Sequence, residues 1–130
     1  MKLSSKTRYG LRACHLLASS YPKNLSATSI EETLNVSAKY VEQIMRSLSS
    51  AGLVKATRGA SGGYFLAKDP SLITVGDIVR ALETIELVEC LSKDATCKCC
   101  PSSKVWKKLY DGINEVLDGM TLKEMTEGKV

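Results

Sequence analysis

The segment that most constrains the fold runs from residue 38 to residue 67, where a helical pattern passes directly into two strand patterns. Apolar residues at helical spacing predict a helix over 38–51, which Gly52 is placed to end. Strands are predicted over 53–58 and 64–67, and the five residues between them include three glycines. The chain is therefore expected to place a β-hairpin immediately after a helix.

Two helices are predicted before this one, and the second of them is short. Ser4 or Ser5 can cap the first. Thr28 and Glu31 have the spacing of a capping box, which predicts the start of the second. The segment Asn35-Val36-Ser37 then supplies a residue that tolerates a left-handed turn and a cap for the next helix. A helix, a tight turn and a helix followed by a hairpin are typical of a winged helix-turn-helix domain.

A fourth helix and a short last helix each carry a capping-box signal. Thr74 and Asp77 start the fourth helix, whose apolar surface is predicted to extend to Ile85. Thr121 and Glu124 have the same spacing near the end of the chain. The fold class predicted from these elements is mainly α with a small β-hairpin wing.

A long amphipathic helix is predicted after Pro101, because proline suits the first turn of a helix. Its apolar stripe steps by three or four residues through Val105, Leu109, Ile113, Val116 and Met120. A small monomer offers such a stripe little to pack against, so we expect a homodimer in which a second copy covers it. The predicted organisation is a winged helix-turn-helix DNA-binding domain over 1–70, followed by a cysteine-bearing loop and dimerisation helices over 71–130.

Charge is distributed unevenly along the chain. Residues 1–68 contain ten lysines and arginines but three glutamates and no aspartate, whereas the net charge of the whole chain is +4. A basic first half is suited to meeting a polyanion. Together with the predicted wing, this charge favours double-stranded DNA as the partner.

Seven side chains are the candidates for contacting DNA. The first turns of a recognition helix carry the residues that reach base edges, and the wing lies beside the backbone or the minor groove. The candidates on the helix and on the wing are Lys39, Tyr40, Glu42, Gln43, Arg46, Arg58 and Ser61.

Cysteines are crowded into one short segment. Of the five cysteines, four lie in the irregular stretch between the fourth helix and the long helix, namely Cys90, Cys97, Cys99 and Cys100. In a chain expected to be cytoplasmic, such crowding indicates a metal site or a redox switch rather than a disulfide framework. Cys14 and His15, on the first helix, are expected to be core and surface residues.

Several classes of protein are not expected. The single histidine has no partnered nucleophile, and neither a phosphate loop nor a pair of catalytic carboxylates is visible, so we do not expect an enzyme. No apolar stretch is long enough for a membrane span or a signal peptide. We therefore expect a cytoplasmic protein.

Several motifs in combination resemble the Rrf2 family of bacterial transcription regulators, which includes IscR-, NsrR- and CymR-like proteins. The resemblance covers nearly the whole chain. It is carried by Lys2-Leu3-Ser4 with Arg8-Tyr9, Tyr40-Val41-Glu42-Gln43, Gly52-Leu53-Val54, Arg58-Gly59, Gly62-Gly63-Tyr64 and Val75-Gly76-Asp77-Ile78. It implies a dimer on a partly palindromic operator, acting as a repressor. Glu42 and Gln43 match the positions that face base edges, and Arg58 matches a minor-groove arginine.

The resemblance also implies a [2Fe-2S] cluster, since cluster-binding members place three cysteines where Cys90, a middle cysteine and Cys100 fall. Thiolates are the standard ligands of such clusters. The fourth ligand departs from the family pattern. Arg8 stands at the position of one acidic ligand and Ser103 at that of a histidine ligand, which leaves Cys99 or a residue outside the segment.

Three interpretations of the cysteines remain open. The main one is a regulator whose DNA affinity is modulated by an iron–sulfur cluster held by the Cys90 to Cys100 segment. The alternative is a CymR-like regulator without a cluster, controlled by a partner protein or by oxidation of cysteine thiols. Zinc held by four thiolates is the third.

Overall fold

The computed structural model describes residues 2–87 and 101–130. Within these ranges the elements are α1 (Ser5–Ser20), α2 (Ala27–Leu34), α3 (Ala38–Ser50), β1 (Val54–Thr57), β2 (Gly63–Leu66), a short 3-10 helix (Pro70–Leu72), α4 (Val75–Leu82), α5 (Ser103–Asp118) and α6 (Leu122–Thr126). The fold class predicted from the sequence, mainly α with a hairpin wing and a long C-terminal helix, is confirmed.

Side-chain caps define where most of these helices begin. Ser4 and Ser37 are the N-caps of α1 and α3, and each hydroxyl accepts a backbone N–H three residues on. Thr74 and Thr121 start α4 and α6, each within a complete capping box. These starts are local signals, and all of them agree with the sequence prediction.

The start of α2 differs from the prediction. Its N-cap is Ser26, whose hydroxyl accepts the Ser29 N–H at 3.1 Å, so the capping box expected at Thr28 is wrong by two residues. The reason is tertiary. Leu25 exchanges two backbone hydrogen bonds with Tyr64 of β2, so the chain is extended at Leu25 and the helix begins as soon as that pairing ends.

Two residues with positive φ join α3 to its neighbours. Asn35 has φ 56° and ends α2 in the left-handed region, as expected. Gly52 has φ 76° directly after α3. There the Gly52 N–H donates to Ser49 O and the Leu53 N–H donates to Leu48 O, a Schellman ending that directs the chain straight into β1.

The wing is a short antiparallel hairpin, with Val54 paired to Leu66 and Thr57 paired to Gly63. Its strands are slightly displaced from the predicted spans of 53–58 and 64–67. The Leu53 N–H donates to Leu48 O at the end of α3, while the Leu53 carbonyl accepts the Ala67 N–H at 3.0 Å. Arg58 lies past the last pair.

One apolar core joins the N-terminal helices to the elements that follow the wing. The residues of this core that are at most 4% exposed include Leu17, Ile30, Leu34, Val41, Ile44, Met45, Leu48, Leu53, Val54, Leu66, Ile73, Ile78 and Leu122. Since α4 and α6 contribute Ile78 and Leu122, they close the base of the winged fold against α1. The division at residue 70 remains a prediction.

Two helices are shorter than expected at their C-terminal ends. α4 stops at Leu82, so Ile85 is not on it, because Glu83 turns to an extended conformation. α5 stops at Asp118, so Met120 lies beyond its stripe. The Met120 carbonyl instead accepts the Val75 N–H at 2.8 Å.

Candidate nucleic-acid interface

The polar face of α3 is the centre of the candidate interface. Four side chains on one side of this helix, Val41, Ile44, Met45 and Leu48, are buried. Their burial leaves the opposite side, with Lys39, Glu42, Gln43 and Arg46, exposed to solvent. A helix that is anchored along one face and polar along the other can enter a groove without losing its own packing.

Tyr40 lies apart from the other candidates on α3. It is half-buried, and its ring meets that of Tyr9 edge-on, with 5.9 Å between the ring centroids. The Arg12 guanidinium lies 5.4 Å from the Tyr9 centroid, within range of a cation–π contact. Tyr40 therefore helps to hold α3 on α1, a role in packing that suits its amphipathic side chain.

Glu42 and Arg46 are paired with each other one helical turn apart, at 2.8 Å. Their side chains are 62% and 73% exposed. An exposed pair of this kind contributes about 0–1 kcal/mol, so a nucleic acid can displace it without a large cost. The pair keeps both side chains extended along the exposed surface of α3. The sequence analysis did not predict this pair.

The wing carries Arg58 and Ser61 on its exposed outer part. Asn24 holds the wing at two points, because its side-chain amide donates to Thr57 Oγ1 at the base and to the Ser61 carbonyl farther out, each at 2.9 Å. Thr57 Oγ1 also accepts the Gly63 N–H at 2.9 Å. These bonds fix the base of the wing and tie its outer part to the segment after α1.

Asn24 is a positioning residue that sequence reasoning missed. In the sequence it looks like part of the stop signal after α1, because asparagine beside Pro22 is common in turns. Nothing local indicates that its amide crosses to residues 57 and 61. Gly63 is needed at the same junction, since a Cβ there would collide with the Leu25 backbone.

Part of the basic charge in the first half serves the fold itself. The Lys6 ammonium donates to Ser47 Oγ at 2.7 Å and ties α1 to α3. Arg12 stacks on Tyr9. The exposed cations that remain for a polyanion include Lys39, Arg46, Lys55 and Arg58.

The start of α1 is bonded to the residue that ends α4. Glu83 accepts the Ser4 N–H at 3.1 and 3.2 Å and the Thr7 hydroxyl at 2.8 Å. Thr7 is 2% exposed, so the carboxylate satisfies a buried hydroxyl and an unpaired N–H of the helix together. This contact gives no signal in the sequence, because its partners are 76 and 79 residues apart.

The candidate metal ligands Cys90, Cys97, Cys99 and Cys100 lie outside the described residues. Cys14 is fully buried in the core, and this burial raises the pKa of its thiol to about 12. Across 2–87 and 101–130, no group of three or more histidine, cysteine or acidic residues is placed to hold a metal ion. The same ranges contain no helix that is both long and apolar enough to cross a bilayer.

The apolar face of α5 lies open to solvent. Val105, Leu109 and Val116 are 57%, 49% and 64% exposed, and no residue of the helix is buried. Together with Gly112, Ile113 and Leu117 they line a shallow groove along the helix. Most of the stripe predicted from the sequence is therefore present and uncovered in a single chain.

Comparisons with known proteins place the whole chain in one family. Residues 3–128 match the family model Rrf2, described as "Iron-dependent Transcriptional regulator". The chain is 42% identical over 127 residues to the HTH-type transcriptional regulator CymR of Bacillus subtilis (strain 168), covering 96% of this chain and 89% of CymR.

Comparison with solved structures gives the same family. The structure of CymR (YrzC), the global cysteine regulator of B. subtilis, matches with a TM-score of 0.80 and 38% identity, over 98% of this chain and 97% of that one. T. potens IscR matches with a TM-score of 0.80 and 38% identity, over 100% and 89%. The oxidized form of Staphylococcus aureus CymR matches with 0.76 and 38%, over 98% and 97%. The chain belongs to the Rrf2 family of DNA-binding transcription regulators.

Proposed function

We propose that the chain is a homodimeric repressor that recognises a partly palindromic operator, with α3 in the major groove and the wing against the adjacent minor groove. The observation that carries this proposal is the polar face of α3, buried on its other side, next to a wing whose base is held by Asn24. Both parts are thereby held rigidly enough to meet DNA in one orientation.

Each candidate side chain has a role that suits its chemistry. The Gln43 amide can bond an adenine edge through two hydrogen bonds, and the Glu42 carboxylate can accept from a cytosine amino group. Lys39 and Arg46 are suited to phosphates, and Arg58 to a narrow minor groove. Ser61 is suited to a phosphate contact at the tip of the wing. Tyr40 supports α3 by packing against Tyr9 of α1.

The homodimer is supported by the exposed groove of α5. Large apolar side chains that are half exposed or more are costly along one face of a long helix, and a second copy of the same helix covers them with matching chemistry. Two copies would bring two recognition helices to one duplex, as a partly palindromic operator requires.

DNA binding is tested by titrating duplex operator at increasing salt. Affinity should fall steeply, because each neutralised phosphate releases counterions. Lys39→Ala should lower the slope of log affinity against log salt by about 1, whereas Lys123→Ala, an exposed change on α6, should leave it unaltered. Binding that is insensitive to salt, or equal slopes for both variants, would count against the interface.

For the signal, we propose control by cysteine thiols or by a partner protein, as in the CymR-like alternative. The support is the likeness to CymR over nearly the whole chain, since one CymR is a global cysteine regulator and another is known in an oxidized form. Cys90, Cys97, Cys99 and Cys100 are the candidate thiols. Cys14 is excluded from this role, because its raised pKa keeps it a protonated, buried thiol.

A [2Fe-2S] cluster is the second candidate, favoured by the equally extensive likeness to T. potens IscR. The four cysteines are chemically suitable ligands, since thiolates bind iron–sulfur clusters. Cys90, Cys97 and Cys100 would be ligands, and Cys99 is the available fourth. Gain or loss of the cluster would then change DNA affinity.

Anaerobic purification distinguishes the two candidates. Colourless protein without iron or acid-labile sulfide, whose operator affinity changes on reversible thiol oxidation, would support the thiol proposal. Visible absorbance with iron and sulfide, lost in Cys90→Ala and Cys100→Ala but not in Cys14→Ala, would support the cluster. Bound zinc would reject both in favour of a tetrathiolate site.

A further inference from the structure

A network of polar side chains, which we call the clasp, joins α4 to the C-terminal half of α5. Arg80 on α4 donates from Nη2 to Asp118 Oδ1 and from Nη1 to Asn114 Oδ1, the latter at 3.1 Å. Asp77 lies 3.7 Å from the same guanidinium. The fork of Arg80 therefore spans two positions one turn apart on α5, which a lysine cannot match.

The clasp accounts for a motif that the DNA-binding surface does not use. In Val75-Gly76-Asp77-Ile78, Gly76 is buried, and a Cβ at this position would collide with the Asp118 carboxylate and approach the Arg80 guanidinium. Asp77 closes the capping box with Thr74 through one carboxylate oxygen and faces Arg80 with the other. The glycine makes room for the clasp, and the aspartate couples it to the start of α4.

The clasp matters because, among the described residues, α5 has few other contacts that hold it. None of its residues is buried, and it packs chiefly against α4. Backbone hydrogen bonds from Val75 N–H to Met120 O and from Leu122 N–H to Ile73 O fix where the helix ends. These backbone bonds lie beyond the last turn of α5 and fix the position of its C-terminal end. The clasp contacts α5 from one side and fixes the direction of the helix axis.

We infer that the clasp sets the angle between α5 and the winged fold, and thereby the distance between the two half-sites that a dimer recognises. This inference rests on the proposed function, in which α5 forms the dimer seam. A helix of 16 residues is about 24 Å long, so a tilt of about 10° at the clasp displaces its far end by about 4 Å. Neighbouring base pairs are about 3.4 Å apart, so this displacement corresponds to about one base pair of spacing.

The test compares operators in which the spacer between half-sites is shortened or lengthened by one or two base pairs. For the wild-type chain, affinity should fall about tenfold for each step away from the best spacing. Arg80→Gln and Asp118→Asn should each reduce that penalty to about threefold or less, while the base preference inside each half-site stays unchanged. The double variant should match Arg80→Gln, because Asp118 acts on the clasp through its bond to Arg80.

Lys107→Gln is the matched control. It removes another exposed ion pair of α5, Lys107 to Asp111 at 2.8 Å, but this pair lies within the helix. Its spacing profile should be that of the wild type. Circular dichroism and sedimentation on every variant would show that fold and dimer persist.

The outcomes distinguish a failure of the proposed function from a failure of the clasp inference. A wild-type chain that is monomeric or selects no site would overturn the proposed function and this inference together. A wild-type chain with a sharp optimum that Arg80→Gln and Asp118→Asn both retain would overturn the inference alone. A flattened profile in those two variants, with an unchanged one in Lys107→Gln, is the result that the inference predicts.

Discussion

The winged fold buries its apolar residues, whereas α5 leaves its apolar residues exposed. In the winged fold, α1, α2, α3 and the hairpin bury their apolar faces in one core, which α4 and α6 close. In α5 the stripe is regular but no residue is buried. The two regions have comparable helical patterns in the sequence, so the difference lies in what is available to cover them.

This contrast indicates that the two regions have different roles. The winged fold holds the polar face of α3 in place within one chain, whereas α5 leaves an apolar surface that we propose a second copy covers. Substitutions in the first region should therefore affect folding, and substitutions in the second should affect assembly. The predictions that follow test this separation.

The largest effect is expected from Ile113→Asp on α5. It places an unpaired charge in the proposed seam, at a cost of about 3–5 kcal/mol to the dimer. Sedimentation should show a monomer with near-native circular dichroism and no operator binding. Lys104→Asp, at an exposed position of the same helix outside the groove, should remain dimeric. An Ile113→Asp chain that stays dimeric would refute the seam.

Leu48→Ala on α3 should lower the free energy of unfolding by about 2–5 kcal/mol, because it leaves a cavity in the core. Leu48 is 0% exposed. Denaturant unfolding at several protein concentrations should give the same loss at each. Leu109→Ala, at a site that is 49% exposed, should instead give a loss that varies with concentration. Equal behaviour of the two variants would remove the distinction between core and seam.

Gln43→Ala should cost about 1–3 kcal/mol of discrimination at one base position of each half-site. Binding curves on operators mutated singly would locate that position. Glu32→Ala, an exposed change on α2, serves as the control and should discriminate as the wild type does. If Gln43→Ala weakens all sequences equally, Gln43 positions the protein but does not recognise bases.

Asn24→Ala should have the smallest effect, about 1 kcal/mol in operator affinity, because it releases the base of the wing but removes no proposed DNA contact. The effect should vanish in an Arg58→Ala background, where the minor-groove contact is already lost. Titrations of both single variants and the double variant would measure this coupling. Additive losses would show that Asn24 acts independently of the wing arginine.

Local signals explain how much of the fold was predictable. Ser37, Thr74 and Thr121 cap the helices that their neighbours in sequence indicate, since a cap depends on residues three positions away. Asn35 and Gly52 likewise adopt positive φ where the pattern calls for a turn.

The errors and omissions share a non-local cause. Thr28 was the wrong cap because α2 begins earlier, at Ala27, as soon as the Leu25 pairing with β2 ends. Ile85 was wrongly assigned to α4, since the chain extends at Glu83, which bonds to the start of α1. Asn24 and the clasp were missed because their partners lie 33 to 38 residues away. Propensity alone carries no information about such contacts.

In the candidate site, too, some features were predictable from the local sequence and others were not. The residue types on α3 and the wing follow from helical periodicity and the glycine pattern, so they were accessible from the sequence. The pairing of Glu42 with Arg46 was accessible too, since glutamate and arginine four residues apart on a helix favour an ion pair. The packing of Tyr40 on Tyr9 depends on the approach of α1, which no local pattern indicates.

The most direct test of the central claim is selection from random duplex DNA with the purified wild-type chain, both thiol-reduced and anaerobically reconstituted with iron and sulfide. The account predicts enrichment of an inverted repeat whose two halves are equivalent and about one helical turn apart, as two symmetry-related recognition helices require. Enrichment of a single asymmetric half-site, or of no sequence under either condition, would contradict it.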